Sequence, residues 1–500
     1  MATTLRISNR FSRMRILVIS GILVTLAAAV GFSQSSKQSP NILFIYLDDL
    51  GYGDVSFSNP DSKIFTPHID RLAREGMAFT DAHAPGPVCG PSRYGLLTGR
   101  YPWRRGKDGR GNGAKFRDVF VEEGRMTIAS LLKQKDYNTA QIGKWGLRHN
   151  YSEAVLPGRE PGDLDAYDFP NKRLRGSQLF GFDYSWCITY LDKRDSNIKS
   201  QFENGLPVDP TLTPTDPYRW LPDGGDKVVE YLETYTGLRQ NPKFDIDPKQ
   251  PFFIYWDPPS PHDPIVPNEA FIGMSGAGLY GDFVIEVDHY IGKMLNALDR
   301  LNLTDSTLVV FASDNGPARG AYERIQELDH FSMGQRRGMK TDILEGGHRV
   351  PLVVRWPGVI KANRTSDALV SLTDWLATIA EITGQQLPKQ AGEDSLSFLS
   401  LLKLGGQEKP YRESVIHHTP RGVYAIRQQD WVFIDDPSSP DSEPEWYRKS
   451  LRAELPEHPG QLYNLIEDPK QSKNRYGEYP EKVEEMKSML RSAIDAGRTN

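Results

Sequence analysis

Oxygen-bearing side chains stand together at two places in the sequence. Asp48 and Asp49 follow the apolar run NILFIYL, and Asp314 and Asn315 follow the apolar run TLVVFAS. Carboxylate and amide oxygens are the preferred ligands of hard divalent cations, whereas a zinc site would be richer in histidine and cysteine. The sequence contains no HExxH motif. We therefore expect these four residues to bind Ca²⁺, with Mg²⁺ as the second choice.

A set of cationic side chains accompanies these oxygens. Arg93 lies in PSRYGLL, Lys144 in IGKWG and Lys340 in RRGMK, and His262 lies in SPHDP. The forked guanidinium of arginine and the point charge of lysine are the groups with which proteins bind tetrahedral oxyanions. The two sets together predict a site in which a divalent cation and several basic residues bind such an anion.

Cys89 opens the stretch CGPSRYGLLTGR and allows two interpretations. The chain has one other cysteine, Cys187, and two cysteines in an exported protein usually form a disulfide. The second interpretation starts from Pro91, which is typical of the first turn of a helix. The amides and dipole at that helix N-terminus would favour an anion beside Cys89.

Four apolar runs are the elements that would position these residues. NILFIYL leads to Asp48, YNTAQIG to Lys144, PFFIYWDPPSP to His262 and TLVVFAS to Asp314. Taken singly, each polar residue has a structural explanation as a turn, an N-cap or a solvated charge. Their recurrence after four predicted strands favours a common site, because ligands of open α/β sheets bind beyond the carboxyl ends of the strands.

Helical patterns fill the intervals between these runs. The segments HIDRLAREGMAFT and TIASLLKQKDY read as helices. One apolar helical face is formed by Phe283, Val287, Ile291, Leu295, Leu298 and Leu301. The face precedes TLVVFAS, and this order of helix and strand predicts a doubly wound α/β fold.

The N-terminus predicts export. Four arginines precede the apolar run 16–30, and the small and polar residues GFSQSSKQS follow it, which is the pattern of a signal peptide. An uncleaved anchor is the alternative, but the run is short for a membrane span. We expect a signal peptide over residues 1–35 and a periplasmic or secreted protein (lysosomal or extracellular in a eukaryote) without stable membrane association. The net charge of -5 and the lack of a polybasic tail argue against nucleic-acid binding.

With these motifs assembled, the chain resembles the formylglycine-dependent sulfatases, which are arylsulfatase-like members of the alkaline phosphatase superfamily. CGPSRYGLLTGR is similar to the family signature CxPSR followed by LTGR. The segments LDDLGYGD, IGKWG, SPHDP, ASDNG and RRGMKTDILEGGHRVPLVVRWPG follow in the family's order, and LYNLIEDP resembles its closing segment. The resemblance covers roughly residues 40 to 470, and the combination of motifs is highly specific.

The resemblance implies that Cys89 is a precursor and not a disulfide partner. A formylglycine-generating enzyme would oxidise it to formylglycine (3-oxoalanine), an aldehyde whose hydrate attacks sulfur and forms a covalent sulfate ester. The second hydroxyl of the hydrate then collapses and expels sulfate. Cys187 would be left as a free, buried thiol.

The resemblance also assigns roles to the surrounding residues. Arg93 would orient the hydrate and the metal ligands, Lys144 and Lys340 would bind sulfate oxygens, and His262 would protonate the departing alcohol. The implied Ca²⁺ ligands, which polarise the sulfate, are Asp48, Asp49, Asp314, Asn315 and residue 89.

One position departs from the pattern of many family members. They carry a histidine two residues after the lysine of the IGKWG segment, where it helps to collapse the hemiacetal, and this chain has Gly146 there. Some sulfatases share a glycine at this place. His149 is the candidate replacement, although a strand-end loop need not point it into the site; the alternatives are another group or water.

The expected substrate is a sulfated glycan cleaved in an exo-acting manner, or a small sulfate ester. Aromatic residues such as Trp103, Trp186 and Trp220 would suit sugar rings, although core positions are their usual place. The segment Asn150–Asp226 would build substrate loops, and His330 is a candidate substrate contact. Phosphonate monoester or phosphodiester hydrolysis is the second hypothesis. A catalytically silent glycan-binding protein is the third, if Cys89 stays a thiol.

The predicted architecture has two parts. Residues 40–395 form a catalytic α/β domain with a large, mixed, mostly parallel sheet flanked by helices, as in alkaline phosphatase. Residues 396–500 form a smaller α+β subdomain, because ESVIHHT, GVYAIR and DWVFID alternate like antiparallel strands. The segment EKVEEMKSMLRSAI reads as a terminal amphipathic helix packed on them.

Overall fold

Sixteen strands and eleven α-helices build the part of the chain that the computed structural model describes, which is residues 39–105, 121–159, 167–169, 171–190, 199–318, 320–403, 411–438, 443–453 and 457–500. The strands are β1 (Asn41–Leu47), β2 (Met77–Phe79), β3 (Ala82–His83), β4 (Asn138–Gly143), β5 (Tyr184–Tyr190), β6 (Lys199–Glu203), β7 (Leu206–Pro207), β8 (Phe252–Asp257), β9 (Thr307–Ser313), β10 (Leu352–Arg355), β11 (Arg364–Ser366), β12 (Val370–Ser371), β13 (Ser414–His418), β14 (Tyr424–Gln428), β15 (Trp431–Ile434) and β16 (Gln461–Asn464). The helices are α1 (Pro67–Glu75), α2 (Cys89–Thr98), α3 (Ile128–Lys133), α4 (Trp220–Tyr235), α5 (Gly278–Arg300), α6 (Ala321–Leu328), α7 (Glu345–His348), α8 (Trp375–Ile382), α9 (Leu399–Leu402), α10 (Glu445–Ser450) and α11 (Pro480–Asp495). The predicted signal peptide lies outside the described residues.

The main sheet has ten strands in the order β11-β2-β10-β9-β1-β8-β4-β5-β6-β7. Its centre is parallel, since β1 pairs with β9 on one side and with β8 on the other, and β8 pairs with β4. The strands β10, β6 and β7 run antiparallel to their neighbours. The four strands predicted to deliver site residues are therefore adjacent and point the same way. The predicted mixed, mostly parallel α/β sheet is confirmed.

The central strand β1 is apolar along its whole length because helices cover both faces of the sheet. Alternate side chains point to opposite faces. Phe44 packs in one core with helices α2, α3 and α8, and Ile45 packs in the other with α1, α4 and α5. The predicted helix before TLVVFAS is α5, and its residues Phe283, Val287, Ile291, Leu295 and Leu298 are buried in this second core.

The segment Asn150–Asp226 was expected to form substrate loops, and this expectation is wrong for much of the described part. Strands β5, β6 and β7 extend the main sheet beyond β4, and α4 packs on α5 and the sheet. Trp186 lies on β5 and is buried in the core instead of facing a ligand. The apolar alternation in YSWCITY is the signal that identifies this edge of the sheet.

A second sheet of four antiparallel strands, β13-β14-β15-β16, forms near the C-terminus. Its first three strands are the predicted ones, and β16 adds the segment QLYN. Helix α11 covers it as predicted: Val483, Met486 and Leu490 pack with Ile416 and Phe433. Trp103 is buried in the same cluster, so it is a core residue and not a platform for a sugar.

Residues Ser39–Asn500 form one compact unit, and the boundary after residue 395 stays a prediction. Among the described residues, no helix is both long enough and apolar enough to cross a bilayer.

A buried ion pair joins the segment before α8 to the segment before β13. The guanidinium of Arg412 donates from Nε to Asp374 Oδ2 at 3.0 Å and from Nη2 to Asp374 Oδ1. The hydroxyl of Tyr411 donates to the same carboxylate at 2.7 Å, and both members of the pair are buried. The Asp374 carboxylate therefore accepts hydrogen bonds from both Tyr411 and Arg412, which precede the second sheet.

We predict that Asp374→Ala lowers the free energy of unfolding by about 3–5 kcal/mol, because it leaves the Arg412 charge buried without its partner. Urea unfolding followed by fluorescence measures the change. The control is Glu445→Ala, which removes an exposed ion pair with Lys449 and should leave the unfolding midpoint unchanged. Equal midpoints for the two variants would contradict the prediction.

Candidate active site

The ends of β9, β1, β8 and β4 place their polar residues at one edge of the sheet. The sheet hydrogen bonding continues past the strands: Asp314 N donates to Leu47 O at 3.0 Å, and Lys144 N donates to Asp257 O at 2.6 Å. Asp48 N donates to Ser260 O at 3.1 Å, which holds the loop that carries His262. The parallel register of the sheet thus brings residues from distant parts of the sequence into contact.

The four predicted oxygen ligands form a buried cluster. Asn315 Nδ2 donates to Asp49 Oδ1 at 2.7 Å, and the amide of Asp49 donates to Asp314 Oδ1 at 3.2 Å. Burial, with Asp48 next to it, raises the pKa of Asp314 to about 7. Burial also opposes the charged form of Asp48, but Lys144, His262 and Arg93 hold the pKa of Asp48 well below its usual range.

This cluster fits a hard divalent cation. It combines carboxylates with an amide oxygen, Asn315 Oδ1, that is buried and has no hydrogen-bond partner among the described residues. Ligand atoms of Asp48, Asp49, Cys89 and His262 lie within 4.8 Å of one another. Crowded carboxylates and an unpaired carbonyl oxygen are the donors that such a cation takes.

Cys89 is the first residue of α2, as the position of Pro91 predicted. Its Sγ lies 3.1 Å from Asp48 Oδ1 and 3.2 Å from Lys340 Nζ. Val88, before the helix, offers no side-chain cap. Burial, then the carboxylates of Asp314 and Asp48, raises the pKa of the Cys89 thiol well above its ordinary value. An unmodified thiol here stays protonated, and the thiol form is not the nucleophile.

The two cysteines do not form a disulfide. Both are free and buried, and Cys187 lies on β5, where its Sγ is 3.5 Å from His149 Nε2. The disulfide interpretation of the sequence is therefore wrong, and the expectation of a free, buried Cys187 is confirmed.

Arg93 lies one helical turn after Cys89 and is completely buried. Its Nη1 donates to Asp257 Oδ2 at 3.1 Å and to the carbonyl oxygen of Lys144 at 3.0 Å. Its Nη2 lies 3.0 Å from Asp314 Oδ2 and 3.7 Å from Asp48 Oδ2. The guanidinium thus connects the ends of all four central strands.

The other predicted cationic residues surround Cys89. Lys144 Nζ pairs with Asp48 Oδ2, and Lys340 Nζ lies 2.6 Å from Asp49 Oδ1. His262 Nε2 is 3.6 Å from Asp49 Oδ2, and its side chain is 26% exposed, which is more than the 17% of either lysine. Burial lowers the pKa of His262. The imidazole therefore lies at the solvent side of the site.

The structure explains why position 146 is a glycine. Its φ is +67°, and a Cβ built on it would lie 2.7 Å from Cδ of Arg93. The backbone passes against the guanidinium stem there, so a side chain would displace Arg93 or the loop. In this chain the glycine makes room for the arginine that organises the site.

Two histidines that the sequence suggested as site residues, His149 and His330, are buried and contact other residues. His149 contacts Cys187 and, at 3.2 Å, Thr189 Oγ1, and burial lowers its pKa to about 4. His330 Nε2 lies 2.8 Å from Asp54 Oδ1. No contact among the described residues joins either ring to Cys89.

Two residues at or beside the site, Asp257 and Lys199, were not singled out from the sequence. Asp257 is the last residue of β8 and pairs with Arg93, whereas Asp48 follows the last residue of β1. Trp220 was named only as a candidate aromatic residue, and Lys199 was not named. A depression beside the site is lined by Lys144, Ile188, Lys199, Trp220, Pro259, His262 and Asp263.

The sequence as a whole agrees with this geometry, since residues 40–385 match the family model described as Sulfatase. The chain belongs to the sulfatase family. It is 33% identical to the N-acetylgalactosamine-6-O-sulfatase of Bacteroides thetaiotaomicron, over 91% of this chain and 93% of the relative. It is 32% identical to arylsulfatase A of Bos taurus, over 89% of this chain and 86% of the relative.

A solved structure from work on glycosaminoglycan metabolism by Bacteroides thetaiotaomicron has the same fold. It superposes with a TM-score of 0.74 at 29% identity and covers 92% of this chain and 100% of its own. The chain is therefore a sulfatase of the alkaline-phosphatase-like superfamily, an enzyme that hydrolyses sulfate esters, and this resemblance, drawn first from its motifs, is confirmed.

We predict that Gly146→Ala lowers kcat on an aryl sulfate by about tenfold to hundredfold, because the new methyl group displaces Arg93 from the carboxylates it orients. Steady-state kinetics measures the change. The matched control is Gly158→Ala, where φ is +75° but nothing lies within 4 Å of the added carbon. The control imposes the same backbone strain without the steric contact. A Gly146→Ala enzyme as active as the control would contradict the assignment of this glycine.

Proposed function

We propose that this sulfatase removes sulfate from sulfated carbohydrates, with formylglycine made from Cys89 as its nucleophile and Ca²⁺ bound by Asp48, Asp49, Asp314 and Asn315. The observation that carries the proposal is the position of Cys89 at the start of α2, between the Asp48 carboxylate and the Lys340 ammonium. The proposal includes two further steps. A formylglycine-generating enzyme converts Cys89, and the predicted signal peptide directs export of the protein.

Each side chain has a distinct task in the proposed reaction. Formylglycine hydrate would supply the hydroxyl group that attacks sulfur while the bond from sulfur to the ester oxygen breaks, and Ca²⁺, held by Asp48, Asp49, Asp314 and Asn315, would supply positive charge to the sulfate oxygens. Lys144 and Lys340 bind those oxygens as charge develops on them. His262, on the solvent side, donates a proton to the oxygen of the departing alcohol. Arg93 contacts the carboxylates of Asp48, Asp257 and Asp314 and holds the ends of their strands together.

The basic residues that line the depression beside Lys144 support a substrate with further negative groups, such as a sulfated carbohydrate. Lys199 Nζ lies 4.6 Å from the ring centroid of Trp220, and burial lowers the pKa of this ammonium to about 8. The cation attracts the negative groups of a sulfated saccharide, whereas Trp220 is buried in the core and offers no face to a sugar ring. A relative named for N-acetylgalactosamine-6-O-sulfate ester hydrolysis makes 6-O-sulfated N-acetylgalactosamine the first substrate to test.

A phosphodiester is the competing substrate class, because its tetrahedral phosphoryl group also carries one negative charge. Rates on matched aryl sulfate and aryl phosphodiester substrates separate the two hypotheses. A non-catalytic glycan-binding role would require Cys89 to remain a thiol. The complete set of basic residues around Cys89 supports catalysis over binding alone.

We predict that the tryptic peptide Glu75–Arg93 from protein exported by its native pathway carries an aldehyde in place of the Cys89 thiol. Mass spectrometry of that peptide, with and without an aldehyde-reactive hydrazide, measures the conversion. Cys187 is the internal control, since it should remain a thiol in the same sample. An unmodified residue 89 in fully active enzyme would refute the proposed nucleophile.

We predict that Lys199→Ala lowers kcat/KM on 6-O-sulfated N-acetylgalactosamine saccharides by about tenfold to hundredfold, the cost of losing one charged contact. Activity on a small aryl sulfate should be unchanged, because that substrate carries no second anionic group for Lys199 to attract. Lys249→Ala removes an exposed lysine elsewhere and is the control. A parallel loss on both substrates would show that Lys199 does not select the carbohydrate.

A further inference from the structure

Three histidines form a second cluster of potential metal ligands, separate from the residues around Cys89. His83 lies on β3, His348 ends α7 and His417 lies on β13, so the cluster joins the catalytic part of the chain to the second sheet. The three side chains are 0–1% exposed. One ring nitrogen from each lies within 4.8 Å of the others.

The partners of two of these rings decide where their protons are. His348 Nε2 is 3.0 Å from the carbonyl oxygen of Ile343, which only accepts, so this nitrogen carries hydrogen. His83 Nε2 is 2.8 Å from Asp81 Oδ1, a carboxylate that also only accepts. Arg427 Nη1 lies 3.1 Å from His83 Nε2, but the shorter contact of that guanidinium is to Asp81 Oδ1 at 2.6 Å.

These tautomers leave two lone pairs facing each other. His83 Nδ1 and His348 Nδ1 are 3.1 Å apart, and neither carries hydrogen in the neutral rings. Two acceptors at this distance repel unless a cation lies between them. Zn²⁺ binds imidazole nitrogens at about 2.0–2.1 Å in a tetrahedral arrangement, which brings two ligand nitrogens to roughly this separation.

His417 supplies the independent observation. Neither of its ring nitrogens has a hydrogen-bond partner among the described residues, although the side chain is buried. Its ring stacks on that of His348 with the centroids 3.6 Å apart. Buried polar atoms without partners are rare and costly. One of its ring nitrogens already lies within 4.8 Å of a ring nitrogen of His83 and of His348.

We propose that His83, His348 and His417 bind a divalent transition-metal ion, with zinc as the preferred metal, and that this ion fastens the second sheet to the catalytic part of the chain. Asp81 and the Ile343 carbonyl would then act as the outer partners that hold ligating imidazoles in place. Imidazole ligands favour zinc over the hard cations that suit the carboxylate cluster.

Two carboxylates offset the charges of two arginines beside the cluster. Arg427 and Arg349 contribute two positive charges, and Asp81 and Glu345, which pair with both, contribute two negative charges. Glu345 Oε1 is buried and has no hydrogen-bond partner in the described parts of the chain. Since Glu345 belongs with Asp81 and His83 to a second potential ligand group, this oxygen is available to a fourth ligand position or to a metal-bound water.

The test is the zinc content of purified full-length mature protein that is loaded with Zn²⁺ and then dialysed extensively without a chelator. We expect one zinc ion per chain in the wild type and none in His348→Ala or His417→Ala. His289→Ala, at an exposed histidine of α5, is the matched control and should retain the ion. Asp49→Asn/Asp314→Asn, which removes two carboxylates of the cluster around Cys89, should retain it as well, and this excludes that cluster as the zinc site.

A spectroscopic and a stability measurement keep the test decisive if an alanine variant misfolds. Co²⁺ bound to the Asp49→Asn/Asp314→Asn protein should give the visible absorption of a tetrahedral imidazole site, and Zn²⁺ should displace it. Zn²⁺ alone should also raise the thermal midpoint of the metal-stripped Asp49→Asn/Asp314→Asn protein. The proposal is overturned if loaded wild type retains no zinc, if folded His417→Ala retains as much as wild type, or if Zn²⁺ leaves the thermal midpoint unchanged.

Discussion

The guanidinium of Arg93 is the interaction on which the rest of the site depends. It is fully buried and meets carboxylates at the ends of three strands, Asp48, Asp257 and Asp314, as well as the backbone oxygen after a fourth. Buried charges are costly unless each has a partner. The ion pairs of Arg93 therefore stabilise the side-by-side arrangement of these strands and the alignment of their ends. It also fixes α2, and with it the position of Cys89.

The surrounding residues follow from this arrangement. Gly146 leaves space for the stem of Arg93. Lys144 pairs with Asp48, which Arg93 also approaches, and Lys340 pairs with Asp49. The three cations do not outnumber the carboxylates Asp48, Asp49, Asp257 and Asp314. Binding a sulfate anion at this edge of the sheet therefore benefits from the extra positive charge that the proposed Ca²⁺ would add.

Local patterns in the sequence were sufficient to predict the centre of the fold. The runs NILFIYL, YNTAQIG and TLVVFAS are buried on both faces, so their composition identifies them as strands, and the polar residue after each strand identifies the edge. Asp257 was missed because it is the last residue of its strand and was taken as part of the apolar run. The extension of the sheet by β5, β6 and β7 was missed because the Pro, Gly and Asp content of that segment resembles loops.

The histidine cluster and the lining of the depression could not be predicted from local patterns. His83, His348 and His417 stand in three unrelated segments, and only the packing of β13 against the catalytic part brings them together. Trp103 could not be distinguished from a surface tryptophan because its burial depends on α11, almost four hundred residues later in the chain. Contacts of this kind depend on the tertiary structure and leave no periodic signal.

The hydrogen bonds of the site also determine how the molecule folds. Asp49 and Asp314 are 265 positions apart in the chain, and Asp49 and Lys340 are 291 positions apart. Contacts at such separations require closure of very long loops before they contribute stability, which slows folding. Helices and hairpins therefore form well before the carboxylates meet. We therefore expect the catalytic centre to be among the last parts of the chain to assemble, so that molecules with most of their secondary structure but without these contacts would be inactive.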